Sequence, residues 1–142
     1  MSELEGRIAI VTGASSGIGR ATAELFAERG ARVAIFARTM EKLAAIAAPF
    51  AGKMIAVAGD VTNLGDLERL FGATESRFGH CDLLVNNAGM IDPALVVDTT
   101  IEAWDRMFAV NVRSAFVATR RALPSMLARG SGAIVNVASI SG

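Results

Sequence analysis

Cysteine and histidine occur once each, side by side as Cys81 and His80, in a chain of 142 residues, and tyrosine does not occur at all. A single thiol cannot close an internal disulfide. No second ligand lies at metal-binding spacing, so both residues read as structural or incidental and no metal is expected. Without tyrosine the chain has no phenol to offer as a proton donor. Neither sign of charge is in excess: fourteen Lys and Arg balance fourteen Asp and Glu, which leaves no electrostatic footprint for nucleic acid or an anionic membrane. No apolar run approaches the roughly 18 residues of a spanning helix. The start, Met1-Ser2-Glu3-Leu4-Glu5, is acidic where a secretory signal would be basic. These absences lead to the expectation of a cytoplasmic protein with neither a nucleic-acid nor a membrane partner.

Apolar residues make up 52% of the chain, enough for one domain over residues 1–142 with a real core. Short apolar runs alternate with helix-period segments throughout, the pattern of a parallel sheet covered by helices on both faces. The predicted strands are Ile8–Val11, Arg32–Ala37, Met54–Ala58, Asp82–Val85 and Ala133–Ala138. Between them, helices are expected from Ile18 to Gly30, from Thr39 to about Ala48, and from Thr62 or Asn63 to Gly79, the last with Leu67, Leu70, Phe71 and Phe78 on its core face. Thr99 and Glu102 have capping-box spacing. They open a long helix with an apolar stripe from Trp104 through Phe108, Val112, Ala115 and Phe116 to Leu123, which Pro124 should kink and Gly130 should end.

The first strand runs into Thr12-Gly13-Ala14-Ser15-Ser16-Gly17-Ile18-Gly19 and then directly into a helix. Gly13 suits the turn off the strand, Gly17 lets a ligand approach the main chain, and Gly19 lets the helix pack closely on the strand. The unpaired N–H groups and positive dipole end of the helix then face the loop, a receptor for a pyrophosphate. At the end of the second strand an acidic residue would suit NAD, whereas a nearby arginine would suit the 2′-phosphate of NADP. The chain has Ala37-Arg38, and a guanidinium can grip a phosphate through two parallel hydrogen bonds.

The spacing Thr12-Gly13-x-x-x-Gly17-x-Gly19, together with Asn86-Asn87-Ala88-Gly89 after the fourth strand, resembles the short-chain dehydrogenase/reductase family. The resemblance implies an α/β Rossmann-type doubly wound sheet of strand order 3-2-1-4-5. It also implies an oxidoreductase that interconverts a carbonyl and an alcohol on a small-molecule substrate, with NADP (NADPH) preferred and NAD possible. Thr12, Gly13, Ser15, Ser16, Gly17, Ile18 and Gly19 would then form the pyrophosphate loop. Arg38 would take the 2′-phosphate, Asp60 and Val61 would lie along the adenine, and Asn87, Ala88 and Gly89 would leave room for the ribose. The implied catalytic positions are Asn111, which would hold a relay water, and Ser139, which would bind the substrate oxygen, with Ser141 the weaker serine. Members of the family commonly form homodimers or homotetramers through the long helix.

The resemblance covers the whole chain but only the first part of the family pattern. The family's base is a tyrosine paired with a lysine, and here the only lysines, Lys42 and Lys53, lie in early segments. The expectation is therefore an amino-terminal portion of a longer protein, with a sheet incomplete at its C-terminal side and no activity of its own. Two further readings stand beside this one: a non-catalytic dinucleotide-binding module, and an S-adenosylmethionine-dependent methyltransferase, whose sheet also binds an adenosine ligand behind a glycine loop.

Overall fold

A computed structural model of the chain describes residues 2–140. Its strands are β1 (Ile8–Thr12), β2 (Arg32–Ala37), β3 (Met54–Ala58), β4 (Leu83–Asn86) and β5 (Ala133–Asn136), and its helices are α1 (Gly17–Glu28), α2 (Met40–Ala47), α3 (Leu64–Arg77), α4 (Ile101–Phe108) and α5 (Ser114–Arg129). All strand pairs are parallel, in the order β3-β2-β1-β4-β5. The chain is therefore α/β with a Rossmann-type doubly wound sheet, as the alternation of apolar runs and helical segments predicts.

Side-chain alternation along the strands divides the core in two. Val11, Val33 and Ile35 pack with Leu43 and Ile46 of α2 and Ala23 and Ala27 of α1. On the other face, Ile10, Phe36 and Leu84 meet Leu70 and Phe71 of α3 and Ala118 and Met126 of α5. Each such large side chain contributes about 1.5–3 kcal/mol on burial. The end of the sheet away from the strand C-termini is pinned by Asp82, whose Oδ2 accepts from the Ile8 N–H at 2.9 Å and whose Oδ1 accepts from Arg129 at 2.6 Å.

Several local expectations need correction. Thr39 stands at the N-cap of α2, but its hydroxyl makes no capping bond. Asn63, not Thr62, caps α3 by accepting from the Asp66 N–H. Thr100 caps α4 by accepting from the Ala103 N–H, while the Thr99 hydroxyl donates back to the Leu95 carbonyl, so the Thr99–Glu102 capping box does not form. The long helix is two helices joined by a wider π-turn at Ala109–Arg113. Pro124 lies inside α5, and the helix ends where expected, at left-handed Gly130. The apolar stripe along this helix pair lies at the surface, with Trp104, Phe108, Val112 and Phe116 about half exposed, whereas Phe78, expected on the core face of α3, is only partly buried. β5 ends at Asn136, two residues short of the expected strand end, although Val137 still donates to the Asn86 carbonyl. Among the described residues β5 has a strand neighbour on one side only.

Candidate functional site

A cleft of about 460 Å³ opens where the C-terminal ends of β1 to β4 deliver their loops. Gly13, Ser15 and Ser16 border it after β1, Ala37 and Arg38 after β2, Gly59, Asp60 and Val61 after β3, and Asn87, Ala88 and Gly89 after β4. The topological switch falls here as well, because β1 lies between β2 and β4, the position at which open parallel sheets bind ligands.

The glycine loop is shaped by contacts from the β4 loop. Gly13 has φ +62°, and a Cβ there would lie 2.8 Å from Ala88 Cα, so both its backbone angle and its surroundings require glycine. Gly17 also has a positive φ, +55°, but faces open space. Gly19 packs under the loop and not against the strand: a Cβ would come within 2.4 Å of the Gly13 carbonyl oxygen and of Asn87 Nδ2. Ser16 stands at the N-cap in extended conformation with no side-chain capping bond, so no cap from Ser16 occupies the first-turn N–H groups of α1, beside the exposed Ile18. An anion fits this cradle, since a side chain at Gly13 or Gly19 would destroy it and none intrudes at Gly17.

Thr12 does not line the cleft. It is 3% exposed, and its hydroxyl accepts from the Asn87 and Ala88 N–H groups at 3.1 Å each while donating to the Val85 carbonyl at 3.5 Å. Asn87 answers by donating its amide to the carbonyls of Thr12 and Gly13. The expected contact of Thr12 with a cofactor is thus replaced by a link that locks the β1 and β4 loops together. Asn86 is likewise inside the structure, donating to Thr119 Oγ1 and to Asn136 Oδ1 across the β4–β5 pair.

Asp60 closes a short turn: its Oδ1 accepts from the Thr62 N–H at 2.9 Å and from the Thr62 hydroxyl at 2.8 Å. The Thr62 main-chain bond, then its hydroxyl, and to a lesser degree Arg106 and Arg38 hold the Asp60 carboxyl below its ordinary range against the opposing effect of burial. It is a carboxylate at neutral pH. Arg38 is exposed at the cleft and makes no ion pair among the described residues.

Asn111 and Ser139 do not border this cleft. Asn111 sits in the π-turn and binds the main chain of Met90 through both ends of its amide. Ser139 is exposed just beyond β5, and Ser141 lies outside the described residues. Cys81 is buried with its thiol pushed up to about 12 by desolvation, and His80 pairs with Glu75 on the surface. Seven wall residues have no place in the expected site: Ala37, Thr39, Lys42, Gly59, Met90, Arg106 and Val110. Spacing could have paired two of them, since Arg106 and Val110 share a helix face. Met90 continues the β4 loop beyond Gly89, with its main chain held by Asn111.

The short chain dehydrogenase family model matches residues 7–142, and the chain belongs to that family. Its relatives include proteins described as uncharacterized oxidoreductases. The one from Staphylococcus saprophyticus is 39% identical over 146 residues, covering 100% of this chain and 62% of the relative. That from Staphylococcus haemolyticus is 40% identical over 142 residues, covering 99% and 62%. A crystal structure of 3-ketoacyl-(acyl-carrier-protein) reductase from Brucella melitensis complexed with NADH matches with a TM-score of 0.90 at 37% identity, over 96% of this chain and 59% of that one. A short-chain dehydrogenase/reductase of unknown function from Caenorhabditis elegans, solved with cofactor, matches at 0.90 and 33%, over 96% and 54%. The chain thus spans about 62% of the length of these curated relatives. Membership of an oxidoreductase family leaves the methyltransferase reading without support. Among the described residues no helix is long and apolar enough to cross a membrane.

Proposed function

We propose that the protein is an NADP-preferring oxidoreductase that interconverts a carbonyl and an alcohol on a small molecule, and that residues 1–142 are its cofactor-binding portion. The observation that carries this reading is the shared cleft: the glycine loop, Arg38 and Asp60 all border it, and the residue at the end of β2 is Ala37, not a carboxylate. The N–H groups at the start of α1 would hold the pyrophosphate, with Ser15 and Ser16 beside it. Arg38 would take the 2′-phosphate, Asp60 and Val61 would meet the base, and Ala88 and Gly89 would make room for the ribose. When bound, the nicotinamide supplies or accepts a hydride. The Brucella relative holds NADH, so NAD remains a usable ligand of the fold, and the preference rests on Arg38.

Ser139 is assigned a hydrogen bond to the substrate oxygen, and Asn111 a water in the proton path. Neither group is an acid matched to that oxygen, and positioned acid catalysis contributes roughly a hundred- to ten-thousandfold. Residues 1–142 by themselves should therefore bind NADPH weakly and reduce nothing. The half-exposed stripe of Trp104, Phe108, Val112 and Phe116 supports a homodimer or homotetramer in the full-length protein. The absence of tyrosine favours a second reading, a dinucleotide-binding module without catalysis.

Loss of NADPH absorbance over a panel of ketones separates the two readings. The enzyme reading expects no turnover by the 142-residue chain and turnover once the chain is extended through a tyrosine and lysine. Steady turnover by residues 1–142 would show that the catalytic groups are misplaced, and inactivity of the extended chain would favour the module.

A further inference from the structure

Of the cations that border the cleft, Arg38 and Lys42 come from the end of β2 and the first turn of α2, whereas Arg106 comes from α4 on a different wall. Arg106 lies one helical turn before Val110, which is 7% exposed and borders the same cleft. The helix is unbroken between them, since the Ala109 N–H still bonds back to the carbonyls of Asp105 and Arg106. Both side chains therefore lie on one face, Val110 packed inward and Arg106 further out. Arg106 acts on the charge of Asp60 more strongly than Arg38 does. It nevertheless makes no ion pair or hydrogen bond among the described residues, so its guanidinium is available to a ligand.

We propose that Arg106 is a further cofactor-binding residue, a flat cationic wall that covers the face of the adenine ring seated among Asp60, Val61 and Val110; this inference rests on the reading of the cleft as a dinucleotide site. A guanidinium is planar and weakly hydrated, so it stacks on a ring as a lysine ammonium cannot. The base would be gripped at its edge by a carboxylate and on its open face by a cation. Arg106 thus contributes to the adenosine half shared by NAD and NADP, while Arg38 discriminates between them.

Fluorescence titration of the unaltered protein and of Arg106→Ala, Arg106→Lys and Arg38→Ala with NADPH, NADH, AMP and nicotinamide mononucleotide tests the assignment, with circular dichroism to confirm each fold. Arg106→Ala should weaken NADPH, NADH and AMP alike, by about three- to thirtyfold, and leave nicotinamide mononucleotide unchanged. Arg106→Lys should recover little of the loss, and Arg38→Ala should act on NADPH alone. A loss confined to NADPH would make Arg106 a phosphate contact, full recovery with lysine would make it a point charge, and no loss would remove it from the site; each overturns the proposal. Failure of the unaltered protein to bind NADPH, NADH or AMP would instead overturn the dinucleotide reading.

Discussion

Asn111 holds the main chain of Met90 at two points: its Oδ1 accepts from the Met90 N–H at 2.7 Å, and its Nδ2 donates to the Met90 carbonyl at 2.8 Å. One amide thus ties the π-turn between α4 and α5 to the loop that borders the cleft after β4. In a regular helix an asparagine tends to compete with the local hydrogen bonds. Here the ladder is already widened, with Ser114 bonding back to the Ala109 carbonyl, and the side chain serves a partner 21 residues away.

Replacing Asn111 with leucine should remove both bonds, and with aspartate should turn the donor that faces the Met90 carbonyl into an acceptor. Net hydrogen bonds of this kind contribute roughly 0.5–1.5 kcal/mol each, and the exposed setting places these near the lower figure. Hydrogen exchange at the Met90 amide should quicken by about three- to thirtyfold in the leucine variant, and by less in the aspartate, which keeps an acceptor for that N–H. Unchanged exchange would mean that the loop is held by something else.

The loop glycines should divide into one that serves the fold and one that serves the ligand. Gly13→Ala combines a left-handed angle with a contact of 2.8 Å to Ala88 Cα, so it should cost about 2–4 kcal/mol, visible as a lower Tm. Gly17→Ala meets nothing within 4 Å and should cost only about 1 kcal/mol, yet weaken dinucleotide binding. Equal losses of Tm in the two variants would contradict this division.

Asp60 predicts an acid limb. Its carboxyl is held below the ordinary 3.8, chiefly by the main-chain and hydroxyl bonds from Thr62, so the folded state binds that proton less tightly than the unfolded state does. The resulting stability is fully present above the unfolded value and is lost as the pH falls through the lower folded value. Glu75, lowered first by its hydrogen bonds from Arg121, behaves in the same sense. Chemical denaturation between neutrality and about pH 2 should therefore show stability falling below about pH 4, with a shallower fall in Asp60→Asn. Superimposable curves for the two proteins would rule Asp60 out of the acid response.

Much of this architecture is visible in local sequence, because a strand such as Arg32–Ala37 is bounded by Gly30 on one side and by polar loop residues on the other, and its apolar run is unambiguous. The glycine loop is equally legible, since its spacing answers to backbone geometry. Polar side chains with two possible local partners are less so: Thr99 and Thr100 both suit an N-cap, and only the path of the preceding loop makes Thr99 turn back to Leu95. Long-range polar ties are legible only in part: asparagine amides after a strand suit bonds to neighbouring strand ends, as Asn87 makes to the Thr12 and Gly13 carbonyls, but the sequence does not name every partner. Thr12 meets Asn87 and Ala88 across 75 and 76 residues, and its hydroxyl looks like any other loop hydroxyl until β1 and β4 are placed side by side. Arg106 is hidden in the same way, as a helical charge whose cleft is formed by other elements.

The cofactor preference assigned to Arg38 is the central claim, and equilibrium titration of the unaltered protein with NADPH and with NADH tests it most directly. Charge-assisted contacts to a phosphate contribute roughly 1.5–3 kcal/mol, or about ten- to a hundredfold in affinity. NADPH should bind more tightly than NADH by that factor, and Arg38→Ala should bring the two together. Equal affinities of the unaltered protein for NADPH and NADH would contradict the account.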